Sequence, residues 1–167
     1  GWRGGEFYPL LNLGDRVIRP KAVCPQCGAR ERHRACKIFY GEFFKHEMPG
    51  KVKKLLHFSP EKCLEETLKV YAQEYCTSNF ENPEPGQMQL DLRNLTLADE
   101  SFDCFVMNRV LSCMPEDLKA VRSMHRVLKP GGVVLAEDGI AEGRRTEEFS
   151  RIGYGGSNRS YGRLYLA

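Results

Sequence analysis

The chain has 167 residues, 41% hydrophobic and 28% charged, a balance that fits one ordinary globular domain and excludes a disordered, collagenous or coiled-coil chain. Its 25 Lys and Arg against 22 Asp and Glu leave a net charge of +3, too little to argue for a nucleic-acid partner alone. The apolar runs, such as Val133–Ala136, fall far short of the roughly 18 residues of a membrane span, and no signal peptide opens the sequence, so a soluble cytoplasmic protein is expected.

Residues 1–29 are rich in Gly, Pro and Arg and read as a loop-and-hairpin segment. From Arg30 the pattern becomes helical: Cys36, Phe39, Tyr40, Phe43 and Phe44 form one apolar stripe, stopped by Pro49-Gly50. Val52–Phe58 reads as a buried strand. Ser59-Pro60-Glu61 then starts a helix, with Ser59 as its cap, Pro60 in the first turn and acidic residues at the positive end of the dipole. Leu64, Leu68 and Tyr71 make its inner face. Tyr75–Phe80 and Met88–Leu92 are expected as short strands, and Phe102–Asn108 as a continuous apolar one. Pro115-Glu116-Asp117 opens a helix with Leu118, Val121, Met124 or His125, and Leu128 facing inward. Pro130-Gly131-Gly132 breaks it before a strand at Val133–Glu137. The tail from Gly153 to Arg163 is rich in Gly, Ser and Arg.

Strands alternating with helices, several strands wholly apolar, predict an α/β fold with a parallel sheet covered on both faces. Ligands of such sheets bind beyond the carboxyl ends of the strands, where strand order reverses. That geometry gathers the loops after Phe58, Asn79, Leu90 and Asn108 around one crevice.

One stretch is more specific. Asp91-Leu92, Asp99-Glu100-Ser101-Phe102-Asp103, Val110-Leu111, Pro115-Glu116-Asp117 and Arg126-Val127-Leu128-Lys129-Pro130-Gly131-Gly132 follow one another over about 50 residues. This pattern resembles the class I S-adenosylmethionine-dependent methyltransferases. Most of Arg126–Gly132 has an architectural reading, because the prolyl and glycyl residues end a helix and turn tightly into a strand. A subgroup of the family pairs an L-H-F-x-P-E turn with an upstream C-P-x-C-G element and an R-H-R triplet. Leu56–Glu61, Cys24–Gly28 and Arg32-His33-Arg34 are similar to both. The resemblance thus implies a Rossmann-like methyltransferase domain over residues 30–167, preceded by a zinc-ribbon-like segment over residues 1–29.

By that resemblance Asp91 would accept from the adenine amino group, and Leu92 would supply an amide and apolar cover. Phe58, Ser59 and Glu61 belong to the turn that approaches the cofactor. Asn108, with Val110, would lie beneath its methionine portion. Two departures stand out. The turn after the first strand has no glycine, and Asn79 occupies the position where relatives carry an acidic acceptor for the ribose hydroxyls. An amide accepts without charge assistance, so weaker affinity is expected unless Glu81, two residues on, substitutes.

Cys24-Pro25-Gln26-Cys27-Gly28 has zinc-knuckle spacing, but a structural zinc takes four ligands. His33 and Cys36, at i and i+3 on the next helix, are one completion. The other is a preceding cysteine pair: the resemblance places one just before a Gly-Trp-x-Gly stretch, and this sequence opens Gly1-Trp2-Arg3-Gly4, so both ends are expected to be cut. At the far end the fold usually continues past Tyr161–Leu164. A redox reading of the pair is disfavoured, because the later elements lack a thioredoxin-like order. Cys63, Cys76, Cys104 and Cys113 read as core or near-core residues. Arg30, Arg32, His33 and Arg34 are at most weak support for phosphate contact. His125 reads as structural, and His57 lies below the expected cofactor turn.

The leading expectation is methyl transfer from S-adenosylmethionine to an unidentified N, O or S acceptor, a reaction that rests on alignment of nucleophile and methyl group and identifies no general base. The alternative is a methyltransferase-like binding module with a zinc-ribbon remnant and no catalysis.

Overall fold

The computed structural model describes residues 3–7, 17–50, 52–111, 114, 116–138, 147–148 and 163–164. Gly1-Trp2, Cys113, Pro115, Tyr161-Gly162 and residues 153–162 of the tail, all used in the expectations above, lie outside that set. The described residues fall into two compact units, one drawn from residues 1–51 and 61–71, the other from 52–60 and 72–167.

The first unit carries strands β1 (Arg3–Phe7) and β2 (Val17–Val23), paired antiparallel as the expected hairpin, and helices α1 (Glu31–His46) and α2 (Lys62–Lys69). The knuckle turn before α1 is closed by Gly28 N–H donating to Cys24 O at 3.0 Å and Cys24 N–H to Ala29 O at 2.8 Å. Gly28 takes φ +69° there, a conformation that glycine adopts without strain. Along α1 the buried residues are His33, Cys36, Tyr40 and Phe44. Phe39 departs from the expected stripe and is 55% exposed; its ring lies against Phe43 with centroids 5.9 Å apart, on the flank of a stripe that the i, i+4 series 36–40–44 already defines. In α2 Leu64 and Leu68 are buried, and Tyr71 just beyond it stacks on Phe44, centroids 4.7 Å apart.

The second unit is built on strands β3 (Val52–Phe58), β4 (Ala72–Ser78), β5 (Phe102–Asn108) and β6 (Leu128–Glu137), with helix α3 (Asp117–Val127) and a 3-10 turn at Leu92–Asn94. Two-residue strands β7 (Glu147–Glu148) and β8 (Arg163–Leu164) pair antiparallel. The four-stranded sheet is parallel throughout and ordered β4-β3-β5-β6, the Rossmann-like α/β arrangement expected. Residues 55–58 of β3 and 104–108 of β5 are buried without alternation, so both faces of these strands are out of water.

Three expectations change. Met88–Leu92 is not a strand: a single bridge joins Met88 to Ser78, after which the Asp91 carboxylate accepts from Arg93 N–H and draws the chain into the 3-10 turn. Ser59 does not cap α2, whose N-cap is Glu61; Ser59 turns out of β3 at φ +48° and donates its amide to Ser78 O at 2.8 Å. In α3 the inner face is Asp117, Ala120, Met124 and Val127, while Leu118 and Val121 are 64% and 48% exposed. Ala120 has no side chain beyond Cβ and is wholly buried, so the helix approaches its neighbours on that face.

The core of this unit joins Leu56, Phe58, Phe102, Phe105 and Met107 to Leu90, Leu92 and Leu95 and to the α3 face. At the amino edge of the sheet, Asp103 accepts from Lys54 N–H at 2.8 Å and from Lys129 Nζ at 2.9 Å, tying three strands together. The register between β5 and β6 jumps from Phe102↔Leu128 to Cys104↔Val133, leaving Lys129–Gly132 as a bulge inside β6. A Cβ on Gly132 would stand 2.9 Å from Lys129 O and 3.2 Å from Asp103 O, so the close backbone approach requires glycine there.

Candidate functional site

The strand order reverses between β3 and β5: the chain moves from β3 outward to β4, then returns to the other side of β3. A cavity of about 460 Å³ opens beyond the carboxyl ends at that reversal, the place where α/β sheets bind ligands. Phe58 and Ser59 reach it from β3, Ser78–Glu81 from β4, Leu90–Arg93 from the 3-10 turn, and Arg109 and Val110 from β5, with Met114 beyond.

Each contributor is held by its element. Phe58 is 3% exposed and meets Phe105 edge to face, centroids 5.3 Å apart. The turn that carries Asp91 is fastened to α3. There Ser123 Oγ accepts from Leu95 N–H at 2.8 Å. Arg126 donates to the carbonyls of Leu95 and Leu97 and pairs with Asp99. Arg126 is thus architectural, as its place in the sequence suggests. Arg109 leaves β5 at φ +57° with its amide bonded to Glu137 O at 2.6 Å. A bulky residue in the left-handed region is an outlier worth noting at a site.

The polar groups of the cavity divide by charge into two carboxylates, Glu81 and Asp91, and two guanidiniums, Arg93 and Arg109. Asp91 and Arg93 are paired: Oδ1 takes Arg93 N–H at 2.9 Å and Nε at 3.0 Å, and Oδ2 takes Nη2 at 2.6 Å. The Arg93 guanidinium holds the Asp91 carboxyl below the usual carboxylate range, against the opposing effect of burial. The same guanidinium lies 5.9 Å from the centroid of the Phe80 ring, itself 52% exposed. Asn79 turns its amide oxygen into its own loop, accepting from Glu81 N–H at 3.2 Å and Asn82 N–H at 3.4 Å.

Of the residues singled out from sequence, Phe58, Ser59, Asn79, Asp91 and Leu92 come together around this cavity, as does Val110. Asn108 is buried and is not among the lining residues; its neighbour Arg109 is. Glu61 also does not line it. Within the first unit it stands 3.9 Å from Arg32 and 3.7 Å from His33 Nε2. Phe80, Arg93 and Arg109 were missed by the sequence reading, although each adjoins a residue it named. Position next to a strand end was the available signal. His57 is buried and bonds Tyr75 OH through Nδ1 at 2.8 Å, and His125 is exposed on α3; neither lines the cavity.

The expected Cys3His set does not form. His33 Nδ1 accepts from Arg30 N–H at 3.2 Å and faces Cys63 Sγ at 3.2 Å, and Cys36 is buried on the inner face of α1. No group of three metal-ligating side chains occurs among the described residues. Cys24 and Cys27 remain as two thiols, with the Cys24 thiol lowered by the amides of Cys27 and Gln26. Two thiolates supply half of the four ligands of a closed zinc site.

Among the described residues no helix is long and apolar enough to cross a membrane. Residues 61–136 match a protein family described as a methyltransferase domain. Over 58 residues the chain is 41% identical to an arsenite methyltransferase of Aquipseudomonas alcaligenes, covering 35% of this chain and 17% of that protein. Over 45 residues it is 47% identical to a demethylmenaquinone methyltransferase of Staphylococcus epidermidis, covering 27% and 19%. The matched stretches therefore span under a fifth of these relatives. Among solved structures the [4+2]-cyclase SpnF superposes with a TM-score of 0.56 at 18% identity, covering 87% of this chain and 57% of that one. At that identity the likeness is one of fold.

Proposed function

We propose that this crevice binds S-adenosylmethionine and that the protein transfers its methyl group to an N, O or S acceptor, in the reducing cytoplasm. The observation that carries the reading is the convergence of Phe58, Ser59, Asp91 and Leu92 on one cavity at the strand-order reversal, with a methyltransferase-domain match over residues 61–136 that takes in β4, the Asp91-Leu92 turn and β5. The described cysteines are all free thiols, in keeping with that compartment.

The cofactor brings an activated methyl group on a sulfonium. The chain's task is then to bind, orient and exclude water, because displacement at a methyl depends chiefly on alignment of the reacting atoms. Asp91 offers a carboxylate to the adenine amino group, Leu92 and Phe58 offer apolar walls, and the half-exposed Phe80 ring is an aromatic partner for a flat ring. Glu81, exposed at the cavity edge, serves the ribose hydroxyls better than Asn79, whose amide oxygen is occupied by its own loop. The acceptor is not carried over from the relatives, whose names give acceptors as different as arsenite and demethylmenaquinone.

Calorimetric titration with S-adenosylmethionine and S-adenosylhomocysteine tests the reading. Micromolar binding is expected, weakened about tenfold to a hundredfold in Asp91→Ala, the loss of a charge-assisted hydrogen bond. A folded chain that binds neither nucleoside overturns it. The second reading, a module that binds without methyl transfer, is favoured by the engaged Asn79 oxygen and by a fold shared with a cyclase, since fold does not fix reaction. Binding without turnover across a panel of acceptors would favour it.

A further inference from the structure

The carboxylate assigned above to adenine is already engaged. A carboxylate accepts about four hydrogen bonds, and Asp91 takes all of its side-chain bonds from one residue: the Arg93 amide and Nε on Oδ1, and Nε, at 3.1 Å, and Nη2 on Oδ2. That guanidinium also lies over the Phe80 ring, 5.9 Å from its centroid. A planar group that donates N–H bonds to Asp91 and faces Phe80 presents the features by which a purine would bind here. Both side chains are partly exposed, 33% for Arg93 and 28% for Asp91, so neither is locked by burial.

We infer that Arg93 is an internal competitor for the nucleobase end of the cavity: it pairs with Asp91 and must release it for adenine to enter. The inference rests on the functional reading above. Binding then gains the adenine contact less the cost of releasing the ion pair, and Arg93 lowers the affinity of every ligand that needs Asp91 free. A ligand that cannot donate to Asp91 gains nothing to offset the lost ion pair, so purines without an exocyclic amino group are rejected.

A double-mutant cycle read by calorimetry with S-adenosylhomocysteine decides this. Arg93→Ala is expected to tighten binding about threefold to tenfold, the range of a partly exposed bidentate pair. Arg93→Gln, which keeps part of the stem, tightens it less. In the Asp91→Ala background the same Arg93 substitution has no effect, because nothing remains to be released. Raising the salt concentration improves binding by the native chain, whose ion pair is screened, and leaves Arg93→Ala flat. S-inosylhomocysteine, with an oxo group in place of the amino group, binds more weakly than S-adenosylhomocysteine but gains the same factor from Arg93→Ala, because the cost of releasing Asp91 is common to both. Weaker or unchanged binding in Arg93→Ala, with circular dichroism showing a folded chain, overturns the inference and leaves the functional reading standing. Equal tightening in the presence and absence of Asp91 also overturns it. Absence of binding in every folded variant overturns the functional reading and the inference with it.

Discussion

Asn79 and Glu81 illustrate how a residue's role depends on where its oxygen points. Asn79 opens the loop after β4, where an acidic acceptor was expected from the family resemblance. Its amide oxygen accepts from the two amides that follow it in the loop, an Asx-type turn that such side chains favour. Its job is to shape the loop, and the loop in turn brings the Glu81 carboxylate to the cavity edge. Glu81→Gln should therefore weaken S-adenosylhomocysteine binding about threefold to tenfold by removing charge assistance at an exposed site. Asn79→Asp, which keeps the acceptor of the turn, should change it by less than about twofold on the same argument. Titration of the two variants checks this, and a larger gain from Asn79→Asp would return the ribose to position 79.

At the scale of elements, the sheet is held in register at its amino edge by a side chain remote from the cavity. Asp103 bonds the β3 backbone at Lys54 and the β6 side chain Lys129. Removing it leaves Lys54 N–H without its acceptor, so Asp103→Ala should cost about 1–3 kcal/mol. Urea denaturation would show this as a lower midpoint with the slope unchanged; a loss below the error of the midpoint would deny Asp103 that role. The aspartate could be placed from sequence as the exposed start of an apolar strand, but its partners could not, since they come from positions 54 and 129. The same limit runs through the whole reading. Val52–Phe58 and Phe102–Asn108 were legible to the residue, because unbroken apolar runs between turn signals leave one interpretation. Met88–Leu92 was not, because a short apolar stretch does not show that Asp91 will cap its own turn. The inner face of α3 was misassigned for a related reason: Leu118 and Val121 outweigh Ala120 in hydrophobicity, whereas packing selected the small residue. The crevice was legible from topology. Its cationic half, Arg93 and Arg109, was not, because an exposed arginine carries no signal until its neighbours are placed.

For the molecule as a whole, connectivity decides how ligand binding will be felt. The segment 61–71 belongs to the first unit, yet its two ends are β3 and β4, neighbouring strands of the second, with Leu55 opposite Tyr75. Parting those strands would free both ends of that segment. The crevice lies wholly in the second unit, so calorimetric unfolding should show a transition of that unit that responds to ligand. A ligand that binds only the folded state adds stability by mass action, about 2.7 kcal/mol at a hundred times its dissociation constant. For a chain of this size that is a rise of roughly 5–10 °C in Tm. S-adenosylhomocysteine should move that transition upward by that amount, and Asp91→Ala should remove about half of the shift or more at the same concentration, as a tenfold to hundredfold weaker affinity implies. A lower-temperature peak that stays fixed while another rises would mean that the first unit unfolds alone, and that the crevice is stabilised without it. A single peak that does not move would remove the nucleoside from the crevice altogether, leaving the cavity at the strand-order reversal to some other ligand.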